Sequence, residues 1–189
     1  MAQLALHLTA SVLVAYSLLS LMEYLIHRHV MHRPSLARAF KNQKLCEAFT
    51  NHAVLHHKAC FAIFHHERDP CAIMNIAIDR STSLLVVLLP CVLVFPVDEL
   101  TSLVLLLGAL AHSWLWSEVH AEMHRPQGSW FCDTWIFSYL KRWHYLHHRH
   151  PGKNFNALLP MWDWVLGTVA IETDADRREM AAGTWRVRL

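Results

Sequence analysis

The sequence contains no GxGxxG turn, no CxxCH and no grouped cysteines. Those absences remove the usual attachment points for a flavin, a haem or an iron–sulfur cluster, so any redox chemistry here draws its electrons from outside the chain. Internal repeats and Gly/Ser linkers are missing too, and glycine supplies only 5 of 189 residues. The chain therefore reads as a single domain over residues 1–189. Five cysteines, an odd number without paired zinc-type spacing, point to free thiols. The most informative shortage is charge. Charged residues make up 17% of the chain against 54% hydrophobic ones, and three long runs almost exclude them. Residues 4–26 carry only Glu23, and residues 81–97 and 100–117 carry none.

Each run approaches the roughly 20 residues needed to cross a bilayer. The expected class is all-α, an integral membrane protein with three transmembrane helices (about 4–26, 81–97 and 100–117) and a cytoplasmic helical cap. The first run lacks a basic leading segment, so it reads as a retained span rather than a cleaved signal peptide. Pro96, Asp98 and Glu99 mark a tight polar turn that makes a hairpin of the second and third runs. All 17 Lys and Arg lie between Arg28 and Arg80 or between Arg125 and Arg188. By the positive-inside rule those two segments are cytoplasmic, and the N-terminus and the Asp98, Glu99 turn lie opposite. A helical insert is expected from about 33 to 80. Residues 157–171, short and interrupted by Pro160 and Asp163, fit an interfacial or re-entrant segment. The tail from Thr173 reads as a short surface helix or a partly disordered segment.

Against these absences stands a surplus of 16 histidines. Ten fall into four clusters: His27 and His32; His52, His56 and His57; His120 and His124; His144, His147 and His148. Ten imidazoles oversupply one metal ion, since four complete a tetrahedral site and about six an octahedral one. Divided between two ions they give five each, with coordination left open. Helical geometry sharpens the expectation. Residues four apart point nearly the same way, whereas adjacent residues diverge by about 100° and residues five apart by about 140°. His52 with His56, His120 with His124, and His144 with His148 should therefore share a centre. The His56–His57 and His147–His148 doublets, and the five-apart pair His27 and His32, should serve two different ions.

The other histidines have blander readings: His29 as a surface or supporting residue, His65 and His66 as a solvated face or a site entrance, and His112 as an inter-helix hydrogen-bond partner or a substrate contact. His150 and His7 receive no role. Glu118 and Glu122 flank His120, and Glu23 precedes His27 by one turn, so any of the three can orient a ligand imidazole through its second nitrogen. For Asp163, between Trp162 and Trp164, a cap or salt bridge is the simpler expectation.

The motifs HRHVMH, HAVLHH, HAEMH and HYLHH, followed by NFNALLPMWDWVLGT, resemble the integral-membrane fatty acid hydroxylase and sterol desaturase superfamily. The resemblance runs from Glu23 to about Thr168. It implies that the ten clustered histidines hold a non-haem di-iron centre, and that Asn156 and Asp163 belong to a closing signature. It further implies an O2-dependent oxidoreductase, a lipid hydroxylase, with a lipid or sterol desaturase or a carotenoid ring hydroxylase as alternatives. Its cofactors would be two iron ions, zinc being accepted by the same imidazoles, with O2 as co-substrate. Its partners would be a lipid substrate, the membrane and a separate electron-donor protein, with no nucleic acid. The basic patch Lys141, Arg142, Arg149 and Lys153 suits either an acidic carrier or anionic lipid head groups. Trp114, Trp116, Trp130, Trp143, Trp162 and Trp164 suit interfacial depth as a substrate surround or an anchoring belt. A membrane metal transporter or store is the alternative from another class. Transporters place their ligands near the bilayer midplane, whereas these clusters sit at the ends of the apolar runs.

Overall fold

The computed structural model describes residues 1–65 and 90–186. Its elements are α1 (Ala2–Ile26), π1 (His27–Met31), α2 (Ser35–Phe40), α3 (Gln43–Phe49), π2 (Thr50–Cys60), α4 (Glu99–His124), α5 (Trp135–Arg149), α6 (Met161–Val165) and α7 (Asp174–Ala181). Residues 90–94 are also helical. No strand occurs among the described residues, beyond an isolated bridge between Ile63 and Arg186.

Local chemistry sets the helix starts. Asp98 caps α4 by accepting the amides of Leu100 and Thr101, Thr134 caps α5 through the Phe137 amide, and Asn42 caps α3 through that of Leu45. A reciprocal capping box of Thr173 and Asp176 opens α7.

Two helices, Ala2–Met31 and Glu99–His124, are long and apolar enough to cross a membrane. They run side by side and parallel. His7 meets Asp98 at 2.8 Å at their leading ends, Ser11 bonds Thr101 at 2.8 Å one turn further on, and both helices finish in histidine clusters. Ala15 and Leu19 pack with Leu105 and Ala109, and Gly108 lets α4 approach until an added Cβ would lie 3.2 Å from Leu19 Cδ1. Their outer faces stay apolar and uncovered, as at Leu6 (73% exposed) and Leu107 (57%). A helix apolar all round suits a lipid surround rather than water.

The helix that contains the third apolar run continues past residue 117 to His124, so α4 carries a histidine cluster on its last turns. Residues 81–89 of the expected 81–97 span lie outside the described residues; in the described remainder of the hairpin Ser102 Oγ donates to Cys91 O at 2.9 Å. The 157–171 stretch contains only the short helix α6. It lies along α1, with Trp162 Nε1 donating to Ser17 O at 2.8 Å and Ser20 Oγ to Leu159 O at 2.5 Å. The tail is docked rather than loose. Asp176 is fully buried and accepts from Arg149 Nε at 2.9 Å, while the Tyr145 hydroxyl donates to Glu179 at 2.9 Å. The expectation of free thiols fails at Cys60, which is buried and disulfide-bonded; Cys46, Cys91 and Cys132 are free.

Candidate metal centre

At the shared end of α1 and α4, the structure gathers all ten clustered histidines into two sets of five. The first set is His27, His32, His52, His57 and His147; the second is His56, His120, His124, His144 and His148. Within each set the candidate ligand atoms all lie within 4.8 Å of one another. Every member is buried except the half-buried His32.

The division follows backbone winding. In the α-helices α4 and α5, His120 with His124 and His144 with His148 share a set, as four-residue spacing demands. Around the first two clusters the chain winds as a π-helix, whose hydrogen bonds close over five residues and bring positions five apart onto one face. The His32 amide donates to His27 O at 3.0 Å, and the Phe61 amide to His56 O at 3.0 Å. His27 and His32 therefore join one set, contrary to the α-helical expectation, and so do His52 and His57. His52 and His56, expected to share a centre, fall in different sets although their rings stack with centroids 5.0 Å apart. Both doublets do divide, since neighbouring side chains diverge under either winding.

The nitrogens face inward. In the first set, Nε2 to Nε2 distances are 2.8 Å for His27–His52, 3.0 Å for His32–His147, and 3.2 Å for both His52–His57 and His57–His147. In the second they are 3.0 Å for His124–His144, and 3.2 Å for both His56–His148 and His144–His148. Imidazoles bound at about 2.1 Å would stand roughly 3.0 Å apart at right angles and roughly 3.4 Å apart in a tetrahedron. The donor set thus fits a metal ion in each group, and its spacing fits the right-angled arrangement better.

Carbonyl groups fix which nitrogen faces the centre. His27 Nδ1 donates to Phe155 O, His147 Nδ1 to Lys153 O at 2.6 Å, and His124 Nδ1 to Phe64 O at 2.8 Å. A carbonyl only accepts, so each of these rings carries its proton on Nδ1 and presents an Nε2 lone pair inward. Burial holds the imidazoles uncharged. Desolvation pushes His32 down to about 2, and holds His52, His56, His57, His144, His147 and His148 well below the ordinary imidazole value, with the neighbouring rings adding to the effect. The neutral ring is the metal-ligating form.

Aromatic rings close the second set. Phe61 lies 4.4 Å from the His124 ring, Phe64 4.5 Å from it, and Trp116 4.3 Å from His120, measured between centroids.

The remaining candidates are placed elsewhere. Glu118 is exposed and outside both sets. Glu122 is buried but grips the α4–α5 connection, accepting from Gln127 N at 2.8 Å, Gly128 N at 3.0 Å and Ser129 Oγ at 2.7 Å. Neither carboxylate contacts a ring nitrogen through any of these bonds. Glu23, Asn156 and Asp163 converge on the segment that supplies the Phe155 carbonyl, and His112 Nε2 stands 3.4 Å from Glu23 Oε2. Asp163, expected as a cap or a salt-bridge partner, is fully buried and accepts the Phe155 and Asn156 amides. His150 faces Asp176 at 3.7 Å, His7 faces Asp98, and His66 lies outside the described residues. The orienting groups that sequence could not supply are the carbonyls of Phe64, Lys153 and Phe155, because any residue type carries one.

A protein-family model described as fatty acid hydroxylase matches residues 12–168, a span that contains all ten histidines. No curated protein and no solved structure matches the chain.

Proposed function

The chain belongs to the fatty acid hydroxylase family, and from that premise we propose that it is a membrane-bound non-haem di-iron oxygenase hydroxylating a lipid C–H bond. The observation that carries the reading is the pair of buried five-imidazole sets with inward Nε2 atoms about 3 Å apart. Five nitrogens exceed the four of a closed zinc site and leave a six-coordinate ion one open position. Bound there, two reduced iron ions supply dioxygen activation and the oxidising power to attack an unactivated C–H bond.

The protein's own residues do the rest. The ten imidazoles bind, and the carbonyls of Phe155, Lys153 and Phe64 hold three of them in the ligating tautomer. Phe61, Phe64 and Trp116 exclude water from the rings they cover. The site lies at the ends of α1 and α4, where a lipid can keep its head group at the interface and offer its chain inward. Exposed Trp114, Trp130 and Trp164 suit that depth. Electrons come from a separate reductase or small carrier, for which the basic face of Lys141, Arg142 and Lys153 is the docking candidate, Arg149 being engaged by Asp176 and Glu179. We place this face on the cytoplasmic side from the distribution of Lys and Arg.

Lipid mass spectrometry on cells with and without the chain tests the reading. A hydroxylated lipid that appears only with the intact chain, and disappears with His144→Ala, is the expected result; identical lipid profiles would refute it. A new double bond without a hydroxyl would move the assignment to desaturation.

A further inference from the structure

Residues Phe155 to Leu159 form a bend whose five consecutive backbone amides all point at two buried carboxylates. Asp163 accepts Phe155 N at 2.9 Å through Oδ1 and Asn156 N at 2.7 Å through Oδ2. Glu23, reaching from α1, accepts Ala157 N at 2.7 Å and Leu158 N at 3.1 Å through Oε1, and Leu159 N at 3.3 Å through Oε2. Five donors outside any helix or strand, those of Phe155, Asn156 and Ala157 buried, need acceptors, and an ionised carboxylate is the side chain that only accepts and can serve several at once. The Thr168 hydroxyl steadies Asp163 Oδ1 at 2.6 Å, and the Asn156 amide group joins Glu23 at 3.3 Å.

The same segment carries the two carbonyls that orient the first histidine set, Phe155 O on His27 and Lys153 O on His147. Asn154, between them, takes a positive φ of 52° and is pinned by Trp143 O at 3.0 Å and the Ala170 amide at 2.7 Å. The second set takes its carbonyl anchor from Phe64, in a different part of the chain. The carbonyl anchors described for the two sets therefore come from different parts of the chain.

We propose that Glu23 and Asp163 are paired positioning residues, a two-carboxylate latch that fixes residues 153–159 and thereby orients His27 and His147, so that the first metal position depends on them and the second does not. The proposal rests on the dimetal reading above. Glu23→Gln and Asp163→Asn keep side-chain volume but set an NH2 against backbone N–H donors.

The test is metal retention by the purified full chain loaded with Fe(II) and challenged with a chelator, read by elemental analysis beside helical circular dichroism. Either variant should fall from about two retained ions to about one, through a 10–100-fold weakening typical of lost ligand support, with helicity unchanged. Adding His147→Ala to Glu23→Gln should remove no further ion, whereas adding His144→Ala should remove the second. The milder Thr168→Val, which leaves both carboxylates in place, should release one ion faster than the parent and covers the case in which the stronger variants fail to fold. Two ions retained as tightly as in the parent by Glu23→Gln, Asp163→Asn and Thr168→Val, or equal loss from both sets, would overturn the latch while leaving the dimetal reading intact. A parent chain that binds no iron would overturn both.

Discussion

The rings of His57 and His148 stack with centroids 4.0 Å apart and planes inclined by 22°, yet the two residues belong to different imidazole sets. The two sets thus share a wall. The ten imidazoles therefore form one continuous cluster rather than two remote sites.

The first expected outcome is stoichiometry. The iron-loaded chain should hold about two ions, because five inward nitrogens per set supply one ion each and no more. His32→Ala, which removes one nitrogen of the first set, should lower retention at that position by a factor of ten or more while the second ion stays. Elemental analysis after chelator challenge measures both.

A second outcome separates ligands from bystanders. His120→Ala or His148→Ala should abolish lipid hydroxylation in a chain that still folds and inserts. His150→Ala should leave turnover close to that of the parent, since His150 faces Asp176 and stands outside both sets. Product formation per folded chain is the measure, and graded losses across all three variants would argue for an undifferentiated histidine surface.

The difference between sequence and structure is sharpest at these residues. Which histidines come together was legible: four clusters marked all ten imidazoles of the two sets, and the α-helical spacings of α4 and α5 placed His120 with His124 and His144 with His148 in one set, as found. The pairing of the first two clusters was not, because π-winding is a backbone property that HRHVMH and HAVLHH do not announce. The same holds for support. Glu23 could be suspected from its proximity to His27 and Asp163 only from the closing signature of the resemblance, but their partners are backbone amides, which carry no residue signature. Glu118 and Glu122 had equal proximity and turned away, one to the surface and one to the α4–α5 connection. The two parallel helices followed from apolar length and from the absence of charge.

A third outcome concerns pH. Seven imidazoles outside the long helices, His32, His52, His56, His57, His144, His147 and His148, are held below their ordinary value near 6.5 by burial. In the metal-free chain the folded form keeps them neutral while the unfolded form takes up protons, so their contribution is present above pH 6.5 and is lost as pH falls below it. Each such group removes about 1.4 kcal/mol per pH unit in that window. Thermal unfolding of the metal-free, detergent-solubilised chain should therefore shift downward between pH 7 and pH 5. Bound iron should oppose the shift, since it holds the same nitrogens unprotonated. A flat profile would contradict the burial argument.

A fourth outcome concerns sidedness. A cysteine placed at Asp98 should react with a membrane-impermeant reagent from the outer side of intact cells, and one placed at Lys153 should not, in a background without other reactive thiols. Because His7 pairs with Asp98, a label site near the N-terminus should behave as Asp98 does. The opposite pattern would invert the orientation drawn from the Lys and Arg distribution.

The most direct measurement of the central claim is the origin of the oxygen atom in the product. The purified chain, loaded with Fe(II) and given a lipid extract and a chemical reductant under isotopically labelled dioxygen, should yield a hydroxylated lipid carrying one labelled oxygen atom. A chain holding both ions that leaves the lipids unchanged under these conditions, or a product whose hydroxyl oxygen comes from water, would contradict the assignment of an oxygenase.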